Sequence, residues 1–404
     1  MTAPTVPVPR APAPKPRRFD LSGVGYNGAA LLLAIGVAVV IGGLAVELSG
    51  HSALHAYNLM VQYAACNKAG GGSDPCTADS VIDIINRAIP YYLSALAVAI
   101  GFRMALFNIG VEGQYRLAAV VTAIAGVEIH LPAVFQIPLL MIIAMAVGAV
   151  WAGIAGILKI TRGVSEVIST IMLNYIAYGL IAFILSSYLS GNTSNNLSSA
   201  TPNLPAASQM PGLNRVFHDV GLLAPHDADQ ISGFLVVIAI IGTAFYFVVE
   251  RSRFGFDLRA SGINPFAAQA GGVSSRRMIL VTMLISGALA GLVGLPYLLG
   301  QGYNYSSEFP ANLGFNGIAV ALLGRNKPIG IAFAALLWGF LERSAQILDL
   351  NNIPQEIYVL MQGSIVLAVV VAYEIVRRAR VRKAERDVAR EVPEALGGAV
   401  EVTA

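Results

Sequence analysis

Long apolar runs without a charged residue are the feature that most constrains what this chain can fold into. Residues 29–46 hold no charge, and a helix of that length spans about 27 Å, which matches a hydrocarbon core about 30 Å thick. Further charge-free runs cover 133–158, 167–188, 231–249, 278–299 and 357–373. Only 12% of the residues are charged, whereas about 25% is usual in soluble proteins. The sequence therefore predicts an all-α, polytopic membrane helical bundle.

Four weaker segments complete the predicted bundle. The segment 84–102 contains one arginine, with an aspartate one helical turn before it as a partner. The segments 106–129 and 329–341 are also predicted to cross, although the first contains charged residues and the second is short. The glycine-rich stretch 312–324 is too short for a full crossing and predicts a broken or half helix. About ten transmembrane segments result, nine full and one short.

Basic residues predict the orientation. Eighteen of the 26 lysines and arginines lie in the N-terminal tail, the 159–162 turn, the 250–277 loop and the tail after 373. The loops 51–80 and 189–230 hold one each, so these loops face outward and both termini are cytoplasmic. The predicted domains are a cytoplasmic Pro-rich basic tail (1–28), a transmembrane domain (29–376) and a cytoplasmic charged tail (377–404).

Cysteine and histidine usage limits the chemistry. Cys66 and Cys76 both fall in the outward loop, where an oxidising exterior favours a disulfide worth about 2 to 3 kcal/mol; the alternative is two free thiols. The five histidines lie outside the apolar runs, so no metal site is predicted in the bundle. The dipeptide Gly-Lys never occurs, so the chain lacks the phosphate-binding loop that would hold ATP. We predict no catalytic residue and no cofactor in this chain.

Polar residues at membrane depth are the predicted functional residues, because ionisable groups are costly in a bilayer. The motif FNIGVEGQ, Phe107 to Gln114, contains Asn108 and Glu112 next to glycines that loosen a helix. Interrupted helices of this kind line the cavities of transporters. Two interpretations of Glu112 stay open: it lines a solute pathway, or it pairs with Arg116 four residues on.

A second polar stripe follows in RGVSEVISTIMLNY, residues 162–175. Glu166, Thr170 and Asn174 are spaced by four and share one face of the predicted helix. For Thr170 we expect a hydrogen-bonded seam between helices. Glu166 either caps the helix N terminus or contacts Arg162. Asn174 lies deeper and is the stronger candidate for contact with a polar solute.

The cytoplasmic loop 250–277 contains a short predicted helix. Asn264 suits the N-cap, Pro265 the first helical position and Gly271 the end, which gives about two turns. Its position in the largest cytoplasmic loop favours a docking surface for a partner. The alternative is an ordered connector with local packing only.

Together these motifs resemble the permease subunits of ATP-binding-cassette (ABC) importers, in the family that includes branched-chain amino acid, ribose and nucleoside permeases. FNIGVEGQ, RGVSEVISTIMLNY, ASGINPFAAQAGG and GFNGIAVALLGRNKPIG are similar to the nucleoside subgroup, which depends on basic membrane lipoproteins. The resemblance covers residues 84–373. At residues 107–114 the chain has FNIGVEGQ and not the motif typical of ribose permeases or of amino acid permeases.

The resemblance implies roles for individual residues. Asn108, Glu112 and Gln114 match a broken-helix motif near the translocation pathway. Asn316 is the predicted counterpart in the second half, since Phe107-Asn108 and Phe315-Asn316 suggest an internal repeat. Ser165 stands where the family usually has asparagine, so no contact is assigned there. The residues that match the family's coupling helix, which docks into the ATPase, are Gly262, Asn264, Pro265, Ala268 and Gly271.

The implied function is import by alternating access, driven by a separate ATP-binding subunit that carries ATP and Mg. The other expected partners are a second permease subunit, identical or homologous, an extracytoplasmic solute-binding lipoprotein and membrane lipid, but no nucleic acid. The expected location is a bacterial plasma membrane. For a nucleoside, the amides of Asn108, Gln114 and Asn174 would meet ribose hydroxyls. The expected contacts of the base are Phe107, Tyr115 or Tyr175.

Three other functions stay open at this point. A simple-sugar ABC permease of the ribose type would use the same architecture. An ion-coupled secondary transporter would use Glu112 or Glu166 as a proton or sodium site and would need no ATPase. A membrane scaffold or receptor would move no solute.

Overall fold

The computed structural model describes residues 36–66, 78–186, 200–214, 230–354 and 356–372, with 374, 375, 378, 381 and 382. The predicted basic tail 1–28, most of the predicted charged tail 377–404 and Cys76 lie outside these residues. Cys66 is the last residue of a described helix, and its pairing with Cys76 stays a prediction. Within the described residues the chain is helical, with two isolated antiparallel bridges, Ala200 to Ser306 and Gly212 to Ser232.

Fourteen helices follow one another in these ranges. They are α1 (36–48), α2 (Ala53–Cys66), α3 (Ala78–Arg103), α4 (Val111–Glu128), α5 (Ala133–Arg162), α6 (Glu166–Ile184), α7 (Phe234–Phe245), α8 (Arg253–Ile263), α9 (Pro265–Ala270), α10 (Ser275–Gly291), α11 (Leu295–Gly300), α12 (Leu313–Leu323), α13 (Pro328–Leu350) and α14 (Ile357–Ala372). A π-helical turn, Tyr246–Arg251, extends α7.

The predicted all-α membrane bundle is confirmed. Six described helices are long and apolar enough to cross a membrane, or up to seven if the bent pair α1 and α2 counts as one span. Two shorter apolar helices, α12 and α14, and the more polar α4 bring the helical segments to ten, at the ten predicted positions. The predicted half helix at 312–324 is confirmed as α12. Within the described residues, α4 and α14 are too polar or too short to count as full spans by length and composition, so six or seven of the nine predicted full spans are found there.

The predicted outward loop 51–80 is partly helical, which corrects the sequence interpretation. Residues 53–66, ALHAYNLMVQYAAC, form α2, and this helix turns back from α1 by 118°. The segment contains no proline or glycine and no charge, so nothing in it opposes a helix. The chain therefore bends near Gly50, which has a left-handed backbone.

A seam of small residues holds α5 against α10. A Cβ atom at Gly287 would overlap the Gly148 carbonyl oxygen, and one at Gly291 would overlap the Ala144 carbonyl. In lipid, helices gain little from apolar burial against one another, so close backbone approach through small residues supplies much of their attraction. These glycines therefore set the spacing of the two helices.

A network of charged residues ties α3 to α13 at the other end from Arg103. Arg87 donates to Asp83, its predicted partner, at 3.0 Å and to Glu342 at 3.0 Å. Arg343 pairs with the same aspartate. The Tyr91 hydroxyl donates to Glu342 at 2.6 Å. Two cations and two anions thus neutralise one another within a mainly apolar helix pair.

Replacing Gly287 with alanine tests the seam. We expect Gly287→Ala to lower stability by about 1 to 3 kcal/mol, because the added methyl group meets the backbone of α5 rather than a flexible side chain. The matched control is Gly179→Ala on α6, where a Cβ atom meets nothing within 4 Å and alanine is the better helix former. Thermal unfolding in detergent measures the stability of both variants. Equal unfolding midpoints for Gly287→Ala and Gly179→Ala would contradict the seam.

Candidate functional site

The motif FNIGVEGQ lies at a break between α3 and α4. The helix α3 ends at Arg103, Ala105 takes a left-handed conformation, and α4 begins only at Val111. The peptide N–H of Leu106 turns back to the Gly101 carbonyl at 3.0 Å. The predicted interrupted helix is therefore present, and its backbone polar groups need partners inside the bundle.

Two amide side chains form hydrogen bonds within this break. Asn108 and Gln114 form a reciprocal pair, with Nδ2 donating to Oε1 at 2.9 Å and Nε2 donating to Oδ1 at 3.0 Å. Asn108 also accepts from the Gly110 peptide at 3.0 Å and donates to the Ser286 hydroxyl of α10 at 2.8 Å. Both amides are buried and bonded to protein. Their predicted contact with solute stays a prediction and requires this network to open.

Asn174 of α6 binds the first turn of α4. Its Oδ1 accepts from the Gly113 peptide at 2.9 Å, and its Nδ2 donates to the Ile109 carbonyl at 3.0 Å. A side chain at Gly113 would collide with Asn174, so the glycine permits the close approach of the two helices. Asn174 thus satisfies an N-terminal N–H group that α4 cannot satisfy itself.

Glu112 performs the same task for α12. Its Oε1 accepts from the Asn312 peptide at 2.9 Å, and its Oε2 accepts from the Gly314 peptide at 2.9 Å. The carboxylate also pairs with Arg116 at 3.0 Å, which confirms one of the two predicted interpretations. The Tyr115 hydroxyl donates to it at 2.9 Å. A negative charge at a helix N terminus is favourable. The Glu112 side chain that carries it is only 1% exposed.

A cavity of about 380 Å³ opens beside this capped terminus, so Glu112 also lines an open space. It lies between the starts of α4 and α12 and the C-terminal half of α6. Burial raises the pKa of the Tyr305 phenol above its ordinary value, so this hydroxyl stays protonated. The lining residues are Glu112, Arg116, Tyr178, Ile181, Ala182, Leu185, Tyr305, Ser306, Ser307, Ala311 and Asn312.

The aromatic residues predicted to meet a base do not line this cavity. Tyr115 is fully buried, Tyr175 is 67% exposed on the outer side of α6, and Phe107 packs edge-on against Phe102 with ring centroids 4.7 Å apart. Sequence reasoning missed Tyr178, although it continues the four-residue spacing of the polar stripe on α6. Tyr305 gave no such signal, because its loop meets the site only through the fold.

Glu166 lies in the first turn of α6, as one of its two predicted interpretations requires, but the predicted partners of Glu166 and Thr170 differ from those observed. Glu166 contacts Lys159, not Arg162, and it accepts from the Phe107 peptide at 3.4 Å. Thr170 donates back to the Glu166 carbonyl of its own helix at 2.7 Å, so it forms no seam between helices. The first difference arises because the α5–α6 turn brings Lys159 to the start of α6. The second arises because a threonine hydroxyl inside a helix can reach the carbonyl four residues back.

The predicted internal repeat is not reflected in local structure. Phe107-Asn108 precedes a helix, whereas Phe315-Asn316 lies inside the first turns of α12. Asn316 is half-buried, and its side chain makes no hydrogen bond with any residue that the structure describes.

The short helix predicted at 265–270 is confirmed as α9, and its cytoplasmic location stays a prediction. Asn264 caps it by accepting from the peptides of Phe266 and Ala267 at 3.0 and 3.1 Å, and Pro265 is its first residue. Gly271 ends the helix with an ordinary backbone, and the left-handed residue is the next glycine, Gly272.

Of the residues matched to the coupling helix, Asn264, Pro265 and Gly271 are exposed, whereas Gly262 and Ala268 pack inward. Ala268 is buried, and a Cβ atom at Gly262 would lie 2.8 Å from the Met104 Cα atom. The outer side instead presents Ile263 and Phe266, which are 87% and 84% exposed. Sequence reasoning could have found these two as the large apolar residues of a polar loop.

A cluster of charged residues joins this loop to the broken helix. Arg103, the last residue of α3, pairs with Glu250 and donates to the Asn326 carbonyl at 3.0 Å. Arg259 of α8 lies 3.9 Å from the same glutamate. The next residue along from Arg103, Met104, contacts Gly262. The 250–277 loop therefore lies directly against the start of the FNIGVEGQ break.

Comparison with known proteins identifies the family. A sequence model of the family described as the branched-chain amino acid transport system permease component matches residues 80–370. The chain belongs to this family. The resemblance found in the sequence motifs is thereby confirmed, and with its apolar helices the permease is a multi-pass membrane protein.

Known relatives of the permease match most of its length. The guanosine ABC transporter permease protein NupP of Bacillus subtilis is 35% identical, over 85% of this chain and 93% of that protein. The nucleoside ABC transporter permease protein NupB of Lactococcus lactis is 33% identical, over 74% and 81%. The glucose ABC transporter permease protein of Haloferax volcanii is 29% identical, over 91% and 92%. No solved structure matches the chain.

Replacing Glu112 with glutamine tests the capped terminus of α12. We expect Glu112→Gln to destabilise the permease by about 3 kcal/mol or more, because Arg116 loses its anion and an amide cannot serve four donors. The control is Glu128→Gln at the exposed end of the same helix. Thermal unfolding in detergent compares the two; a midpoint for Glu112→Gln equal to that of Glu128→Gln would refute the cap.

Proposed function

We propose that the permease is the membrane-spanning subunit of an ATP-driven nucleoside importer. The observation that carries this proposal is the 35% identity, over 85% of the chain, to a permease named for guanosine. A second relative is named for nucleosides. The more distant glucose permease keeps a simple sugar as the second candidate solute.

ATP hydrolysis belongs to a separate subunit in this proposal. The sequence lacks the Gly-Lys step of the usual phosphate-binding loop, which supports a chain without its own ATP site. A solute-binding lipoprotein on the outer side and a second permease subunit complete the proposed importer in the lipid bilayer. ATP and Mg would be bound by the ATPase only.

The ATPase docks on α9 and the turn before it. Ile263 and Phe266 supply two large, exposed apolar side chains on a capped and therefore rigid helix, a combination typical of anchor residues in interfaces. Behind them, Gly262 touches Met104, and Arg103 binds Glu250 and Asn326. A movement of α9 thus acts on the segment that positions Asn108 and Glu112.

An ion-coupled transporter finds less support. Its candidate ion sites, Glu112 and Glu166, are already paired with Arg116 and Lys159. A proton or sodium ion would have to displace these cations. Uptake that continues in the presence of vanadate, an inhibitor of transport ATPases, would favour this rival.

Reconstitution tests the proposed function. The permease, its ATPase, the second permease and the lipoprotein are placed in vesicles and supplied with radiolabelled guanosine or glucose. We expect ATP-dependent accumulation of guanosine and none of glucose. Accumulation of glucose alone would favour the second candidate, and accumulation without the ATPase would overturn the proposal.

Replacing the aromatic anchor tests the docking surface. We expect Phe266→Ala to weaken co-purification with the ATPase by about tenfold or more and to lower ATP-driven uptake in parallel, because a buried aromatic anchor is lost. The control is Phe135→Ala, an equally large and 65% exposed side chain at the start of α5, on the opposite side of the membrane by the predicted orientation. Equal ATPase binding by both variants would place the docking surface elsewhere.

A further inference from the structure

We propose that the cavity beside Glu112 is a binding site for an uncharged nucleoside, with the base against Tyr178 and Tyr305. This inference rests on the proposed function and adds to it the site and the basis of recognition. The cavity volume, about 380 Å³, lies in the range of about 300 to 1,000 Å³ that is usual for small-molecule sites.

The charges of the cavity favour a neutral solute. Its one carboxylate, Glu112, is fully used by two peptides, a tyrosine and Arg116. Its one guanidinium is held by that carboxylate and lies 3.5 Å from the Pro310 carbonyl. A phosphate would bring negative charge beside this carboxylate and find only an arginine that is already paired. Nucleosides therefore fit the cavity, and nucleotides do not.

Both tyrosine rings are held in place before a ligand arrives. The guanidinium of Arg116 covers one face of Tyr178, at 5.5 Å from the ring centroid. Phe309 stacks on one face of Tyr305, with centroids 4.4 Å apart. Tyr178 is half-buried and keeps exposed surface for a base, whereas Tyr305 is 2% exposed and reaches the cavity with only a small part of its side chain. Rings fixed in this way lose little freedom on binding, which favours affinity.

Neutral hydrogen-bonding groups complete the site. Ser306, Ser307 and Asn312 line the mouth of the cavity, and the last two are exposed. The side chains of Ser307 and Asn312 form no hydrogen bond with the described part of the chain. Hydroxyls and amides can both donate to and accept from ribose hydroxyls. The site thus offers an aromatic surface for the base and polar groups for the sugar.

Removing either ring tests the site. Tyr178→Leu and Tyr305→Leu are assembled with the second permease and the ATPase but without the lipoprotein, and binding of radiolabelled guanosine is measured by equilibrium dialysis. We expect the dissociation constant to rise about tenfold in Tyr178→Leu, since stacking on an aromatic ring is lost, and about threefold or more in Tyr305→Leu, which is 2% exposed and contributes less surface to the cavity. Tyr178→Phe and Tyr305→Phe keep the rings and should stay within about threefold, because the stacking surface is unchanged.

The control is Tyr246→Leu, an exposed tyrosine in the π-helical turn after α7 and outside the cavity. If both leucine variants bind guanosine as tightly as this control while the unsubstituted complex imports guanosine, the site is overturned and the proposed function stands. The same holds if an importing complex binds no guanosine without the lipoprotein. If the unsubstituted complex imports no nucleoside, the proposed function fails and the site falls with it.

A labelling experiment keeps the inference testable if a leucine variant does not assemble. Ser307→Cys places a thiol at the cavity mouth, and the unsubstituted complex gives the background from Cys66 and Cys76. We expect saturating guanosine to slow reaction with a membrane-impermeant maleimide, whereas guanosine monophosphate and ribose do not. Equal protection by ribose would overturn recognition of the base, and protection by the monophosphate would overturn selection for a neutral solute. Unchanged labelling with guanosine would overturn the site.

Discussion

The contact on which the rest of the structure depends is the one between the Glu112 carboxylate and the start of α12. A half helix inside a membrane bundle leaves peptide N–H groups with neither water nor a helical partner, and each unpaired group is costly. Glu112 accepts from the peptides of Asn312 and Gly314, while Arg116 balances its charge. At Gly314 a Cβ atom would collide with the Glu112 backbone, so only glycine allows this approach. The Glu112 carboxylate thereby allows the half helix α12 to begin inside the bundle.

The same arrangement is repeated one helix away. Asn174 satisfies the start of α4 as Glu112 satisfies the start of α12, so three helices are joined in series by side chains that cap a neighbour. The cavity lies beside these caps, since a helix that stops short leaves space beyond its end. Its charged groups are engaged in the caps, which leaves the half-buried Tyr178 as the chief aromatic surface for the proposed solute. Glu112 and Arg116 therefore both support the start of α12 and line the cavity proposed to bind a neutral solute.

The 250–277 loop, which is predicted to be cytoplasmic, contacts this region directly. Gly262 lies against Met104, and Arg103 joins the end of α3 to Glu250 and to the turn between α12 and α13. The segment before α4 and the turn after α12 are therefore both attached to the loop that carries Ile263 and Phe266. In the proposed importer, a displacement of that loop by the ATPase would reach α4 and α12 together. Rigid elements with two arrangements are the usual carriers of such motion.

The sequence by itself determined the helical membrane fold, the ten segments, the half helix at 312–324 and the capped helix at 265–270. These follow from local properties, namely apolar length, glycine content and the Asn264-Pro265 start signal, which act within one segment. Local spacing also predicted the Glu112–Arg116 pair. Only the tertiary structure decided that Glu112 caps α12, that Asn108 and Gln114 bond to each other, and that Tyr305 joins Tyr178 at one cavity. Each of these contacts depends on how distant segments pack, and no periodicity within a segment records the position of its neighbour.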